Sequence, residues 1–320
     1  MLLAKLRQLA RTVRPLIPES ILRYREMLVL QRIAARNGLR IIKRDLFFDL
    51  KRNDTVLRIR DNHRVYLVHM IENFDYYVDS VISLRVNGTT LVDMSGPRYH
   101  RLKGFGDIPF LFPSHTEPYH TTAEYLDFAE LKGGEIVVDI GAYAGVTSII
   151  FAQLVGPAGH VYAFEADETN YECARINIEM AARVLGLQNI TLLHYAIWSH
   201  CDGVLFSNEG AMGSSAVLIT GGSRGSEKIV PSIRIQDFFE KQKLDHADFV
   251  KVDIEGCEVE MLESSAAFLR SVKTRLIVEP HFVGGSMSTD RCCGLLESAG
   301  YKIRVRQKVG ESEALIEAVP

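Results

Sequence analysis

The feature that most constrains the fold is the run at residues 135–165, EIVVDIGAYAGVTSIIFAQLVGPAGHVYAFE. Ile136, Val137 and Val138 form the apolar run expected of a strand buried on both faces. Asp139 closes it, Gly141 and Gly145 fall in the turn that follows, and residues 146–155 continue as a helix. Gly156, Pro157 and Gly159 stop that helix, and residues 160–164 form a second strand that ends on Glu165. Strand, glycine turn, helix and strand make half of a nucleotide-binding α/β unit. Such a unit binds its ligand at the carboxyl ends of its strands.

Two carboxylates narrow the choice of nucleotide. A dinucleotide site needs a tight Gly-x-Gly-x-x-Gly turn so that backbone can approach a pyrophosphate. Here the spacing is Asp-x-Gly-x-x-x-Gly, with Tyr143 where the middle glycine would stand. Asp139 at the strand tip would repel a pyrophosphate and suits a ligand carrying an ammonium group. Glu165 is placed to accept both hydroxyls of a ribose. A nucleoside without phosphates but with an amino-acid tail meets both demands, and S-adenosylmethionine is such a molecule. The competing readings are a nicotinamide-dependent oxidoreductase, which the Asp139 and Tyr143 spacing opposes, and a plain α/β turn with a solvated Glu165.

Downstream, strands and helices alternate as in a mostly parallel sheet with helices on both faces. A helix is expected over 168–185, strands over 190–194, 249–253 and 276–279, and a closing pair over 301–305 and 314–318. The glycine-rich stretch 203–235 breaks the alternation and reads as an inserted hairpin with flexible loops. Upstream, residues 1–44 read as helical, broken at Pro15 and Pro18 and stopped at Asn37-Gly38. Residues 56–60 and 64–68 alternate like strands, and Asn87-Gly88 signals a hairpin. The Gly-, Pro- and aromatic-rich stretch 96–120 is expected to form ordered loops near the site, and 121–131 a helix. The expected organisation is a basic helical arm (1–50), a small β-rich region (51–120) and an α/β nucleotide-binding domain (121–320).

The second informative segment is ADFVKVDIEGCEVEML at 247–262. Its strand delivers Asp253 and Glu255 to the same crevice as Asp139 and Glu165. Paired carboxylates can shift one another's pKa and act as acid or base, or hold a cation. Glu258 and Glu260 are read as favouring a helix N-terminus through its dipole. A further strand ends Val278-Glu279-Pro280-His281, and a histidine there is a reasonable general base. Asp253 and Glu255 could hold Mg²⁺, but no third ligand is evident in the sequence, so no metal is expected.

These pieces together resemble the FkbM family of S-adenosylmethionine-dependent methyltransferases over residues 120–282. The resemblance rests on EIVVDIGAYAGVTSI, GPAGHVYAFEAD, Asn177-Ile178, NITLLHYAIW, DFVKVDIEGCEVEML and VEPH. It implies a class I, Rossmann-like methyltransferase fold and, for most members, methylation of a hydroxyl oxygen. By that resemblance Asp139, Gly141 and Ala142 line the methionine part of the cofactor and Glu165 the ribose, with Asp167 and Ala196 beside the adenine. Asp253, Glu255, Glu279 and His281 face the transferred methyl and the acceptor. Gly213, Ser214 and Ser215 match a Gly-Ser-Ser segment that folds over the acceptor. Tyr143, before Gly145 in the turn, and Ala166-Asp167 depart from the family's usual residues, which alters the shape around the methionine tail.

The acceptor class implied is a small molecule or glycan, such as a sugar hydroxyl, a glycolipid or a secondary metabolite. Residues 1–60 carry 15 Lys and Arg against 5 Asp and Glu, within a net charge of −3. That basic balance is too diffuse for nucleic acid; it suits an anionic membrane surface or an acidic partner. For residues 1–44 we prefer an arm packed on the domain or on a second subunit to a peripheral membrane helix, because its polar face is not densely charged. The 5 cysteines are odd in number and include no Cys-x-x-Cys, the pattern of a reduced, cytoplasmic protein. No uncharged run is long enough to span a bilayer and no signal peptide is expected. A third reading, a non-enzymatic cofactor-binding scaffold recruited by the arm, would forgo the acceptor-side groups, yet all of them are present.

Overall fold

The computed structural model describes residues 19–83, 85–105, 108–116, 119–220, 225–307 and 314–320, with backbone alone at 19, 20, 86, 120 and 220. The first 18 residues of the basic arm therefore lie outside the described residues. The chain forms two compact units, Met1–Val78 with Ser83–Asp93, and Asp79–Ile82 with Met94–Pro320.

The first unit opens with a helix, Glu19–Arg36, that stops at Asn37 and Gly38. Five strands follow, in the sheet order Arg40–Lys43, Phe47–Arg52, Thr55–Arg60, Thr89–Met94 and Arg85–Val86. Asn87 and Gly88 form the two-residue hairpin turn, pairing Val86 with Thr89. Two expectations change here. Residues 40–43, beyond the helix stop expected at Asn37-Gly38 but inside the 1–44 arm read as helical, are a strand. Residues 64–68 are helical, within Asp61–Tyr66 and Leu67–Glu72. The buried set His63, Leu67, Met70 and Ile71 recurs at helical spacing, and this tertiary pattern overrides the local alternation.

The second unit is built on a seven-stranded sheet. Its strands are β1 (Ile136–Ile140), β2 (His160–Phe164), β3 (Ile190–Leu193), β4 (Phe249–Val252), β5 (Arg275–Val278), β6 (Lys302–Gln307) and β7 (Ala314–Val319), in the order β3-β2-β1-β4-β5-β7-β6. The first five are parallel, while β7 is antiparallel to both its neighbours. This is the class I methyltransferase arrangement. Successive strand residues enter opposite cores, which explains the unbroken apolar runs. Val138, Val250, Leu276 and Val278 pack with Phe238, Met261 and Leu296. Val137, Phe249 and Ile277 pack with Tyr125, Phe151 and Val155. The helices supplying those two layers are α1 (Tyr119–Ala129) and α2 (Val146–Val155) on one face, and α4 (Ile235–Gln242), α5 (Glu258–Val272) and α6 (Thr289–Ser298) on the other; α3 (Glu168–Leu185) follows β2.

Two smaller elements cover the carboxyl ends of the strands. Within 96–120, where loops were expected, Arg98–Arg101 and Pro109–Phe112 pair as an antiparallel hairpin. The insertion forms three antiparallel strands, with Val204–Asn208 between Ser215–Ala216 and Ser226–Val230. Among the described residues no helix is long and apolar enough to cross a membrane.

Candidate active site

The glycine turn after β1 is packed against the end of β4. A Cβ on Gly141 would stand 1.7 Å from the Asp253 carbonyl oxygen, at a φ of +89° that L side chains avoid. The backbone N–H groups of Gly141 and Ala142 both donate to the Phe164 carbonyl at the end of β2. Tyr143 takes a positive φ of 49°, and its hydroxyl donates to the His115 carbonyl at 2.7 Å. Backbone strain of this kind persists only where surroundings over-determine it, and it gathers at functional sites. Gly145 then provides the N-cap position of α2.

Glu165 stands beside this turn, nearly buried. Its two carboxylate oxygens accept the N–H groups of Tyr143 and Asp167, each at 2.8 Å. Burial, reinforced by the charge of Asp167, pushes its pKa up to about 8. A carboxylate offers more acceptor sites than these two bonds use, so a ribose diol can still donate to it. Ala166 and Ala196 share an apolar cluster with Trp198, Ile254 and Cys257, a surface suited to an aromatic base. The Asp167 side chain is bonded within the protein through both oxygens. One of its oxygens caps α3 by accepting from Thr169 and Asn170, and the other accepts from Gly210 N and Ser214 Oγ. Its side chain thus ties the insertion to the start of α3.

Asp139 is fully buried. Ser148 Oγ donates to it at 2.5 Å and Lys251 Nζ lies 3.2 Å away. The sequence suggested that this carboxylate answers a ligand's ammonium, but the cation it meets is Lys251. The two are register partners on β1 and β4 and so point to the same face. Lys251, 2% exposed, also donates to the Gly141 carbonyl at 2.7 Å. Asp139 therefore shapes the turn from behind.

At the ends of β4 and β5 Asp253, Glu255, Glu279 and His281 converge. Tyr125, on α1, donates to Glu279 at 2.6 Å and to Asp253 Oδ2 at 3.2 Å. His281 Nδ1 lies 2.8 Å from Glu258 Oε1, and Nε2 lies 3.6 Å from Asp253 Oδ1 and 3.7 Å from Glu255 Oε1. Burial alone would lower the His281 pKa, but the charges of Glu255, Glu258 and Asp253 and the bond to Glu258 carry it well above the usual range. Burial, aided by Asp253, Glu279 and Glu258 and opposed by His281, pushes Glu255 up to about 8. Glu258 is more than the helix-terminus charge expected of it. It is fully buried and accepts from Gly256 N while orienting His281.

The Gly-Ser-Ser segment spans the two halves. Ser214 is tied to Asp167, and Ser215 Oγ donates to the Glu255 carbonyl at 2.7 Å. Gly256 permits this closeness, since a Cβ there would meet Ile219 at 2.7 Å and Val283 at 2.8 Å. On the other side Asn177, fully buried, bonds both the N–H and the carbonyl of Leu111 and the carbonyl of Ala144. It fastens the 98–112 hairpin to the glycine turn. Sequence reasoning did not assign Lys251, Tyr125 or the clamp at Asn177 to the site. A lone lysine inside the apolar run FVKV was the available signal for the first.

Residues 139–303 match the family model described as the methyltransferase FkbM domain. The chain is similar to the protein-L-isoaspartate O-methyltransferase of Ignicoccus hospitalis, at 36% identity over 74 residues, 23% of this chain and 33% of that one. The enzyme of the same description from Methanothermobacter thermautotrophicus is 35% identical over 75 residues, with the same shares. The chain thus spans about a third of the length of these relatives. A solved FkbM methyltransferase from Methylobacillus flagellatus aligns over 58% of this chain and 44% of its own, at 18% identity and a TM-score of 0.43.

Proposed function

We propose that this chain, which belongs to the FkbM methyltransferase family and so is an S-adenosylmethionine-dependent methyltransferase, methylates a hydroxyl oxygen on a sugar, glycolipid or secondary metabolite. Its residues fit the cofactor. Glu165 is a buried acceptor for a diol, Ala166 and Ala196 lie in an apolar cluster, and Lys251 and Asp139 hold the turn at Gly141 and Ala142 in place. Bound, the cofactor supplies an electrophilic sulfonium methyl.

The observation that carries the reading is the meeting of the two halves. Gly141 is pressed against the backbone of Asp253, while the Asp253 side chain stands in a cluster with Glu255, Glu279 and His281. Transfer forms an oxygen–methyl bond, breaks the sulfur–methyl bond and frees the hydroxyl proton. Asp253, whose side chain is more exposed than that of His281, takes that proton. Tyr125 and Glu258 fix the orientation of the cluster, and Ser214 and Ser215 hold the cover over the acceptor. Most of the rate then comes from positioning.

Carboxylates outnumber cations around the acceptor side, which disfavours an anionic acceptor such as the isoaspartate named in those relatives. The test is methyl transfer from isotope-labelled cofactor to polyhydroxylated acceptors, followed by alkali treatment. Ethers keep the label in alkali. Label released as methanol, the mark of an ester, would refute the hydroxyl acceptor.

A further inference from the structure

We infer that Asp253, Glu279 and His281 together bind a divalent cation, through one oxygen of each carboxylate and the Nε2 of the imidazole. Each residue offers one ligand atom, and these atoms lie within 4.8 Å of one another. In an octahedral shell with bonds of about 2.1 Å, adjacent ligands stand about 3 Å apart and opposite ones about 4.2 Å. Small side-chain shifts close the set to that size. The sequence offered Asp253 and Glu255 with no third ligand; the fold brings Glu279 and His281 to Asp253 from the end of the neighbouring strand.

The orientation of His281 is an independent observation that points the same way. Its Nδ1 lies 2.8 Å from Glu258 Oε1, and Glu258 is completely buried. A carboxylate on Nδ1 sets the tautomer and turns the Nε2 lone pair outward, as the partners of metal-bound histidines do. Nε2 then faces Asp253 Oδ1 at 3.6 Å and Glu255 Oε1 at 3.7 Å, both beyond hydrogen-bonding distance. Such separations suit a bridging ion better than direct contact.

Asp253 is divided in a way that keeps one oxygen for this purpose. Its Oδ2 takes Tyr125 Oη at 3.2 Å and Lys251 Nζ at 3.5 Å, while Oδ1 faces His281. Lys251 brings a positive charge nearby, but Asp139 matches it from the other side. Tyr125 spaces Asp253 and Glu279, donating to both. Two carboxylates and one imidazole are a mixed oxygen–nitrogen set open to first-row divalent ions such as Mn²⁺. With a 26% exposed Asp253 side chain, the site is open to an acceptor. An ion there would hold the acceptor hydroxyl and make it more acidic. That role, though not the binding itself, rests on the hydroxyl acceptor proposed above.

The full chain, stripped with EDTA, is titrated with Mn²⁺ in the absence of cofactor, with free Mn²⁺ read from its paramagnetic resonance signal. One ion should bind per chain. Glu279→Gln and His281→Gln should each weaken binding at least about tenfold, and Glu258→Gln, which acts only through His281, by about 10–100-fold. Retained S-adenosylmethionine affinity marks each variant as folded, and Asp253→Asn replaces any that is not. A wild-type chain that takes up no Mn²⁺ at millimolar concentration, or variants that bind as the wild type does, overturns the site. Mn²⁺ binding without any methylated hydroxyl leaves the ion site standing and refutes the acceptor instead. Hydroxyl methylation in EDTA by a chain that binds no Mn²⁺ does the reverse.

Discussion

Replacing Lys251 with methionine should damage the second unit more than any other single change of charge. The side chain is 2% exposed and reaches Asp139 Oδ1 at 3.2 Å and Asp253 Oδ2 at 3.5 Å. Lys251→Met is close in length and keeps the packing, but it strands a fully buried Asp139 with Ser148 alone. Removing one partner of a buried ion pair costs about 3–5 kcal/mol, and the Gly141 carbonyl also loses its donor. A domain's whole stability is about 5–15 kcal/mol, so the change is large. The assay is urea unfolding followed by Trp198, the 1 tryptophan of the chain, which reports the second unit. Adding Asp139→Asn to Lys251→Met removes the stranded charge. The double variant should then cost several kcal/mol less than the sum of the two singles. A loss below about 1 kcal/mol for Lys251→Met, or simple additivity, refutes the idea that this pair supports the turn.

Changes at three other residues test the site from different sides. Glu165→Ala should weaken S-adenosylmethionine binding by about tenfold to a hundredfold, as loss of two hydrogen bonds of roughly 0.5–1.5 kcal/mol each implies; unchanged affinity in calorimetry would remove Glu165 from the ribose site. Because the folded pKa of Glu165, about 8, stands above the ordinary 4.5, its contribution to stability is complete below the lower value and is lost as pH rises through the upper one. Glu165→Gln should flatten that part of the stability–pH curve, and a curve identical to wild type would show that another group carries it. Gly141→Ala should abolish cofactor binding and lower the melting temperature by several degrees, since its Cβ meets backbone at 1.7 Å; a stable variant with normal affinity is the contrary result. Tyr125→Phe should reduce turnover and leave cofactor affinity nearly unchanged, because its hydroxyl bonds Glu279 and Asp253. A rise in the Kd for cofactor with turnover intact would place Tyr125 elsewhere.

Much of the sheet was legible because burial on both faces writes itself as runs such as IVV and FVKV, with glycines and carboxylates where the strands end. The same rule placed Asp253 and His281 in one crevice, since residues that follow parallel neighbours emerge at the same edge. What stayed hidden depends on contacts far apart in the chain. Asp139 was visible as an acid at a strand tip, but its cation, Lys251, lies across a strand pairing that local sequence does not encode. Tyr125 reaches Glu279 across 154 positions. Glu258 looked like a helix-terminus charge because that role is real; its bond to His281 needed the fold. Residues 64–68 alternate like a strand, and only the buried set around them selects a helix.

Among the described residues the clamp at Asn177 grips main chain alone: the N–H and carbonyl of Leu111 and the carbonyl of Ala144. Asp167 likewise holds the insertion partly through the N–H of Gly210, and Ser215 bonds the carbonyl of Glu255. Every residue type but proline offers the same N–H, and every one the same carbonyl. The covering pieces can therefore exchange most of their side chains while keeping their mountings.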